Sequence, residues 1–323
     1  MPTKVLFLSH IYPPAIDGGS QVIHKLRQEL EEQGSETLVI TSDGYSTDDF
    51  VKPEAERIKD LPQAIRVRTI RWPKKIIRRI TGPVFLGFPW LKILKWKPDW
   101  VIGGVFPTTM PIYAWITSKI TGAELGLVPR FHRSDKNFFR WPLIPILKSA
   151  DKIYALSKSE KKFYQNKLKV INANLKVFKP KVDEKLIMAK TKTAPFPKNP
   201  VILFLGNQAE HKRVKMLVKA FAKHVTRNTQ QAIKLVIAGR KTLYTPEIEK
   251  CIADLPREVR QNIELKGEYD RGDQIKLLDS ATVLVNPSRH ESLGLVFLEA
   301  WARKKPVIGA DLPPVEELIT NGK

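Results

Sequence analysis

The sequence predicts an α/β protein made of two parallel-sheet domains, on three observations. Short β-rich runs alternate with helical periodicity along nearly the whole chain, the pattern of crossover units on parallel sheets. The 323 residues suffice for two domains of ordinary size. Between two such runs lies TKTAPFPKNP (191–200), rich in Pro and Thr and without periodicity, which reads as a linker. The expected division is therefore 1–190, a linker at 191–200, and 201–323.

In the first half the strand candidates are 4–10, 36–41, 64–70, 99–104, 124–131 and 152–157. Between the first two, Val22, Ile23, Leu26 and Leu30 recur at helical spacing, and Gly34 closes the helix. The second half opens with VILFLG (201–206), followed by the helical VKMLVKAFAKHV. Strands at 233–239, 263–267, 282–288 and 306–311 follow, with helices in QIKLLDSA and LVFLEAWARK. The halves share this grammar but no internal sequence repeat. Two Rossmann-like domains facing a cleft is the expected architecture, with ligands at the C-terminal strand edges.

Hydrophobic residues at 42% and charged residues at 27% exclude wholesale disorder. A lone Cys251 can form neither an intramolecular disulfide nor a Cys-based zinc cluster, which suits a reducing cytosol. Only VLFLS separates Lys4 from His10, too short for a signal-peptide core. No apolar run reaches the ~18 residues a spanning helix needs. Walker A, G-x-G-x-x-G, H-E-x-x-H and G-x-S-x-G motifs are all missing, and no Asp-x-Asp pair or His/Cys cluster suggests a metal.

The net charge of +22 is uneven, with +17 in residues 1–200 and +5 in 201–323. Residues 61–98 hold ten basic residues and no acidic one, interleaved with Trp72, Phe85, Phe88, Trp90 and Trp96. Such a face suits an anionic membrane, where each Lys or Arg contributes about 1 kcal/mol. The span 66–97 carries all ten. A nucleic-acid backbone would take the same charge but is the less favoured partner. A solvated basic face over an aromatic core is the plain alternative.

HESLGLVFLEAWARKKPVIGAD (290–311) holds the densest chemistry. Glu291 falls in the loop after a strand, and Glu299 about a turn inside the next helix. Free amides around Gly294 and Leu295, with the helix dipole, would suit a diphosphate. Gly294 would let the anion approach closely, and the carboxylates could accept from sugar or ribose hydroxyls. An ordinary strand–loop–helix remains open on spacing alone. Gly18-Gly19, before the first helix, reads either as a close-packed anion loop or as a tight turn capped by Ser20.

The segment resembles that of retaining nucleotide-sugar glycosyltransferases of family 4, the glycogen-synthase-like group with the GT-B fold. Glu291 and Glu299, separated by seven residues, match its two glutamates, and Gly294-Leu295-Val296 and Pro306-Val307 match their surroundings. The likeness runs through YPPAIDGGSQVIHKLRQELEEQG, KPDWVIGG, VPRFHRSD, SADKIYALSKSEKKF and VILFLGNQAEHKRVKMLVKAF. It implies a donor site formed by Gly18, Gly19, Lys212, Gly294, Leu295 and Glu299, with His132 and Glu291 as the catalytic pair. Lys212 would contact the donor diphosphate. Asn207 stands where the family usually has a second phosphate-binding Arg, and Arg213 is the candidate substitute.

The resemblance further implies transfer of a sugar to a glycan or lipid-linked acceptor, without metal or other cofactor, at the cytoplasmic membrane face. Relatives continue beyond the equivalent of Lys323, so the second domain is expected to be incomplete and to expose apolar surface on its sheet. A non-catalytic basic protein on a transferase scaffold is the alternative.

Overall fold

The computed structural model describes residues 1–13, 18–44, 64–70, 84–133, 136–139, 141–171, 173–190, 199–227 and 232–319. It divides into two compact units, Met1–Pro180 and Lys181–Lys323. The first runs β1 (Lys4–Ser9), α1 (Gly18–Glu32), β2 (Glu36–Ser42), β3 (Ala64–Val67), β4 (Thr69–Ile70), β5 (Val84–Phe85), α2 (Trp90–Trp96), β6 (Trp100–Gly104), α3 (Met110–Thr121), β7 (Glu124–Val128), α4 (Leu143–Lys148), β8 (Lys152–Ala155), α5 (Lys158–Asn166) and β9 (Asn174–Val177). Seven strands form one sheet in the order β3-β2-β1-β6-β7-β8-β9. Every neighbouring pair in it is parallel. Val5 to Leu8 of β1 are buried on both faces, which is why this strand reads as a continuous apolar run.

The expected strand 64–70 is in fact two. β3 joins the main sheet, whereas β4 pairs antiparallel with β5 in a separate ribbon. The turn falls at exposed Arg68, where Asp43 Oδ1 accepts from Thr69 N at 3.1 Å and from Thr69 Oγ1 at 2.8 Å. The expected strands 124–131 and 152–157 end early, at Val128 and Ala155, and the residues beyond them build loops.

The second unit runs α6 (Glu184–Met188), β10 (Val201–Leu205), α7 (Val214–Arg227), β11 (Lys234–Ala238), α8 (Thr245–Ala253), α9 (Arg257–Arg260), β12 (Ile263–Leu265), α10 (Arg271–Ser280), β13 (Val283–Asn286), α11 (Leu295–Ala302), β14 (Val307–Gly309) and α12 (Pro313–Glu316). Its five strands lie parallel in the order β12-β11-β10-β13-β14. Leu203 and Leu205 pack on one face with Leu278, Leu284 and Phe297; Phe204 packs on the other with Val214, Leu217 and Phe221. On the edge strand β14, Ile308 is exposed.

The units divide earlier than the sequence boundary at 190, because α6 belongs to the second core. Leu186 is fully buried there. Arg303 Nη1 donates to the Leu186 and Ala189 carbonyls at 2.9 and 2.6 Å. Asp279 holds the same guanidinium through two bonds of 2.8 and 2.7 Å. A buried guanidinium needs all its donors satisfied, and the frayed end of α6 supplies carbonyls that have no helical partner. Most of the expected linker, 191–198, lies outside the described residues.

Both sheets start in the middle and grow outward in two directions, so the strand order reverses between β1 and β6 and between β10 and β13. Loops leaving the C-terminal ends of such a strand pair diverge and open a crevice, the usual ligand position in this class of sheet.

Candidate functional site

At the reversal in the second sheet, the loop after β10 meets the loop after β13. The first continues through Gly206, half-buried Asn207 and buried Gln208 into a short turn, Glu210–Lys212. Arg213 then adopts a left-handed conformation, φ 53°, directly before α7. Gln208 fixes the loop: its Nε2 donates to the Gly239 and Lys266 carbonyls at 2.9 and 2.7 Å, tying three strand ends together. The second loop is tied to the first by Arg289 N, which donates to His211 O at 2.7 Å.

These ties bring Lys212 and Glu291 together. Lys212 Nζ lies 2.5 Å from Glu291 Oε1, and Asn286 Nδ2 donates to the same oxygen at 3.2 Å. Both charged side chains are mostly shielded, at 19% and 12% exposed, so the pair is stronger than a surface ion pair. The sequence pointed to both residues but gave no sign that they contact each other.

Gly294 sits at the start of α11 with φ 80° and ψ 55°. A Cβ there would approach Phe297 Cδ2 to 2.6 Å, so both conformation and space demand glycine. Half-buried Leu295 follows as the first helical residue, and its amide is among those that an α-helix leaves without an internal partner. Glu299 lies one turn further on and faces α10. Arg271 Nη1 donates to Glu299 Oε1 at 3.1 Å and Gln274 Nε2 to Oε2 at 2.7 Å. Burial, and then the Glu299 carboxylate, push the Tyr269 phenol well above its usual value and keep it an O–H donor.

In the first unit, Gly18 and Gly19 open α1, Gly18 exposed and Gly19 buried. A Cβ on Gly18 would lie 3.3 Å from Arg130 Nη2, so this guanidinium reaches the start of the helix. His132 follows β7 by four residues, half-buried, its ring edge-on to Phe138 at 5.1 Å between centroids. Asn207 and Arg213 stay with Lys212 on the β10 loop. Sequence reasoning missed Gln208, Asn286, Arg271 and Gln274, none of which stands out by type or spacing. Among the described residues, no group of three or more His, Cys, Asp or Glu is arranged to hold a metal ion.

Two parallel sheets, each reversing its strand order, make up the architecture of the GT-B fold. Solved structures of that fold superpose on nearly the whole chain. Anabaena HepE in complex with UDP and glucose has a TM-score of 0.70 at 16% identity, covering 99% of this chain and 84% of that one. The pneumococcal O-GlcNAc transferase GtfA in complex with UDP and GlcNAc gives 0.72 at 12%, covering 99% and 86%. Residues 188–323 match the family model for glycosyl transferases group 1.

The α-D-kanosaminyltransferase of Streptomyces kanamyceticus is 30% identical over 123 residues, 38% of this chain and 31% of its own length. An uncharacterized glycosyltransferase of Methanocaldococcus jannaschii is 25% identical, covering 98% of this chain and 82% of its own. The match to the first curated relatives spans only about a third of their length, 31–32%.

Proposed function

We propose that the protein is a retaining glycosyltransferase that moves a sugar from a nucleotide-diphosphate sugar to a glycan or lipid-linked acceptor. The observation that carries this reading is the Lys212–Glu291 pair at the sheet reversal beside the start of α11. A donor diphosphate there takes the ammonium of Lys212 and the free amides at Gly294 and Leu295. Glu291, released from Lys212, accepts from the sugar hydroxyls. Glu299, aimed by Arg271 and Gln274, accepts from the ribose. His132 serves the sugar being transferred, and Gly18-Gly19 shape the approach to it.

The bond between C1 and the leaving phosphate oxygen breaks while the acceptor oxygen bonds C1 from the same face. The acceptor proton passes to the departing phosphate oxygen, so the configuration at C1 is retained without a covalent enzyme intermediate. Lys212 and the helix amides carry the leaving-group charge, so the proposal includes no resident metal or cofactor. UDP-sugars are the first donors to try, since HepE and GtfA are in complex with UDP.

The proposal includes peripheral attachment to an anionic membrane at the cytoplasmic face, and a second observation supports the attachment. Helix α2 turns Ile93 into the core and leaves Leu91 77% and Leu94 42% exposed beside exposed Lys92, Lys95 and Lys97. Of the span 66–97, residues 71–83 lie outside the described residues. No helix among the described residues is long and apolar enough to cross a membrane.

The test is turnover with UDP-, GDP- and ADP-sugars, with and without EDTA, the product's anomeric configuration being read by NMR. Retained configuration, insensitivity to EDTA and loss of activity in Lys212→Ala and Glu291→Ala are expected. Neither binding nor turnover of any donor, with vesicle binding intact, would instead favour the non-catalytic basic protein.

A further inference from the structure

Among the described residues Glu160 is the most deeply buried carboxylate of the first unit, at 3% exposed, and nothing in the proposed reaction uses it. It enters from the first turn of α5, where Ser157 caps the helix by accepting from Glu160 N. In a usual capping box the third residue's carboxylate reaches back to the cap's own N–H. Here it reaches past the cap. Oε2 accepts from Leu156 N at 2.7 Å, at the end of β8, and Oε1 accepts from Phe131 N at 2.7 Å, beyond the end of β7. Tyr164, one turn further along α5, donates its hydroxyl to the same Oε1.

Phe131 sits in the corner that presents His132. The corner leaves β7 through Pro129, whose carbonyl accepts from Phe106 N at 3.0 Å. It then passes through Arg130 at φ 52°, a left-handed conformation that a side-chain-bearing residue rarely adopts. Such a residue persists only where its neighbours over-determine it, and two features of Phe131 do so. Its ring is lodged among Phe138, Phe139, Phe163 and Tyr164, and its amide is fixed by Glu160.

We propose that Glu160 is a positioning residue for His132, its buried carboxylate clamping the Arg130–His132 corner to the end of β8. This rests on the reading of His132 as a group that serves the transferred sugar. The bare amide of Phe131 has few alternatives, because Phe131 itself is buried, at 5% exposed. Replacing the carboxylate by an amide puts an NH2 donor against backbone N–H donors, so one of the two strand ends loses its acceptor.

The test is a double-mutant cycle on the full chain, with turnover and NMR as readouts. Glu160→Gln is expected to lower kcat at least tenfold with donor KM within twofold of wild type. In a His132→Ala background the same change should alter the residual kcat by less than twofold. An unchanged kcat in Glu160→Gln, or an equal loss in both backgrounds, overturns the proposal.

The His132 ring signals of the free protein decide the clamp independently of turnover. A single sharp set in wild type that shifts and broadens in Glu160→Gln supports it; identical spectra overturn it. If His132→Ala itself retains wild-type kcat, the role of His132 falls while the spectra still judge the clamp. Should Glu160→Gln not fold, Glu160→Asp keeps the charge but retracts it by one methylene, and the same pattern is expected of it.

Discussion

At the sheet reversal of the second unit, the candidate groups are charges that satisfy one another, Lys212 with Glu291 and Arg271 with Glu299. In the first unit they are the start of α1 and a backbone corner, the corner held by buried Glu160 and Tyr164. The contrast separates two ways of building a site. A charge-built site stores its binding groups as ion pairs that a ligand can exchange, whereas a clamp-built site stores geometry. The first should fail through loss of one side chain's charge, the second through loss of a hydrogen bond some distance from the chemistry.

The largest expected effect lies behind the charge-built site. Arg303→Ala removes both guanidinium bonds to buried Asp279 and frees α6, which should cost about 3–5 kcal/mol of stability in urea denaturation. A cost under ~1 kcal/mol would mean that α6 is held by Leu186 packing alone. Next is Lys212→Ala, expected to lower kcat by about 10²–10³ as a deleted charge-stabilising group does. Gly294→Ala follows, since its left-handed backbone and the contact with Phe297 should cost about 1–3 kcal/mol, read as a lowered Tm. Leu91→Asp should reduce co-sedimentation with anionic vesicles while leaving kcat on a soluble acceptor unchanged; equal sedimentation with neutral vesicles would remove the membrane reading.

The smallest effect belongs to the clamp and is a pH dependence. Burial raises the Glu160 carboxyl above its usual range, with the bonds from Tyr164, Leu156 and Phe131 pulling it partly back. A carboxyl raised in the folded state binds its proton more tightly there than in the unfolded chain. Its contribution to stability is therefore greatest below the unfolded value and is lost as pH rises through the folded one. The stability of wild type relative to Glu160→Gln should then fall from pH 4 to pH 7, measured by denaturation at each pH. A difference that grows with pH contradicts it.

The same contrast governs what could be read in the sequence. The candidate residues Glu291, Gly294 and Glu299 of the charge-built region could be picked out in the sequence because they are chemically distinctive and span a single loop and helix. Lys212 became legible only through the family resemblance, being one of many lysines. The ion pair joining Lys212 to Glu291 was not, since it depends on two loops from strands far apart in the chain. Glu160 carried one weak local signal, the Ser157-x-x-Glu160 spacing of a capping box, but its reach to Phe131 is tertiary.

The two parallel sheets were legible because their strands are apolar runs. Strands 64–70 and 124–131 were drawn too long, since side-chain pattern does not mark where the backbone leaves a sheet. The position of α6 was missed because its allegiance is decided by Arg303, more than a hundred residues away.

The central claim is that the Lys212–Glu291 pair is the resting state of a diphosphate site. Calorimetric titration of the protein with UDP, GDP and ADP, compared with Lys212→Ala, tests it most directly. The account predicts that at least one nucleoside diphosphate binds wild type and that Lys212→Ala weakens it at least tenfold. Equal affinity in the two proteins, or no binding of any of the three, would contradict it.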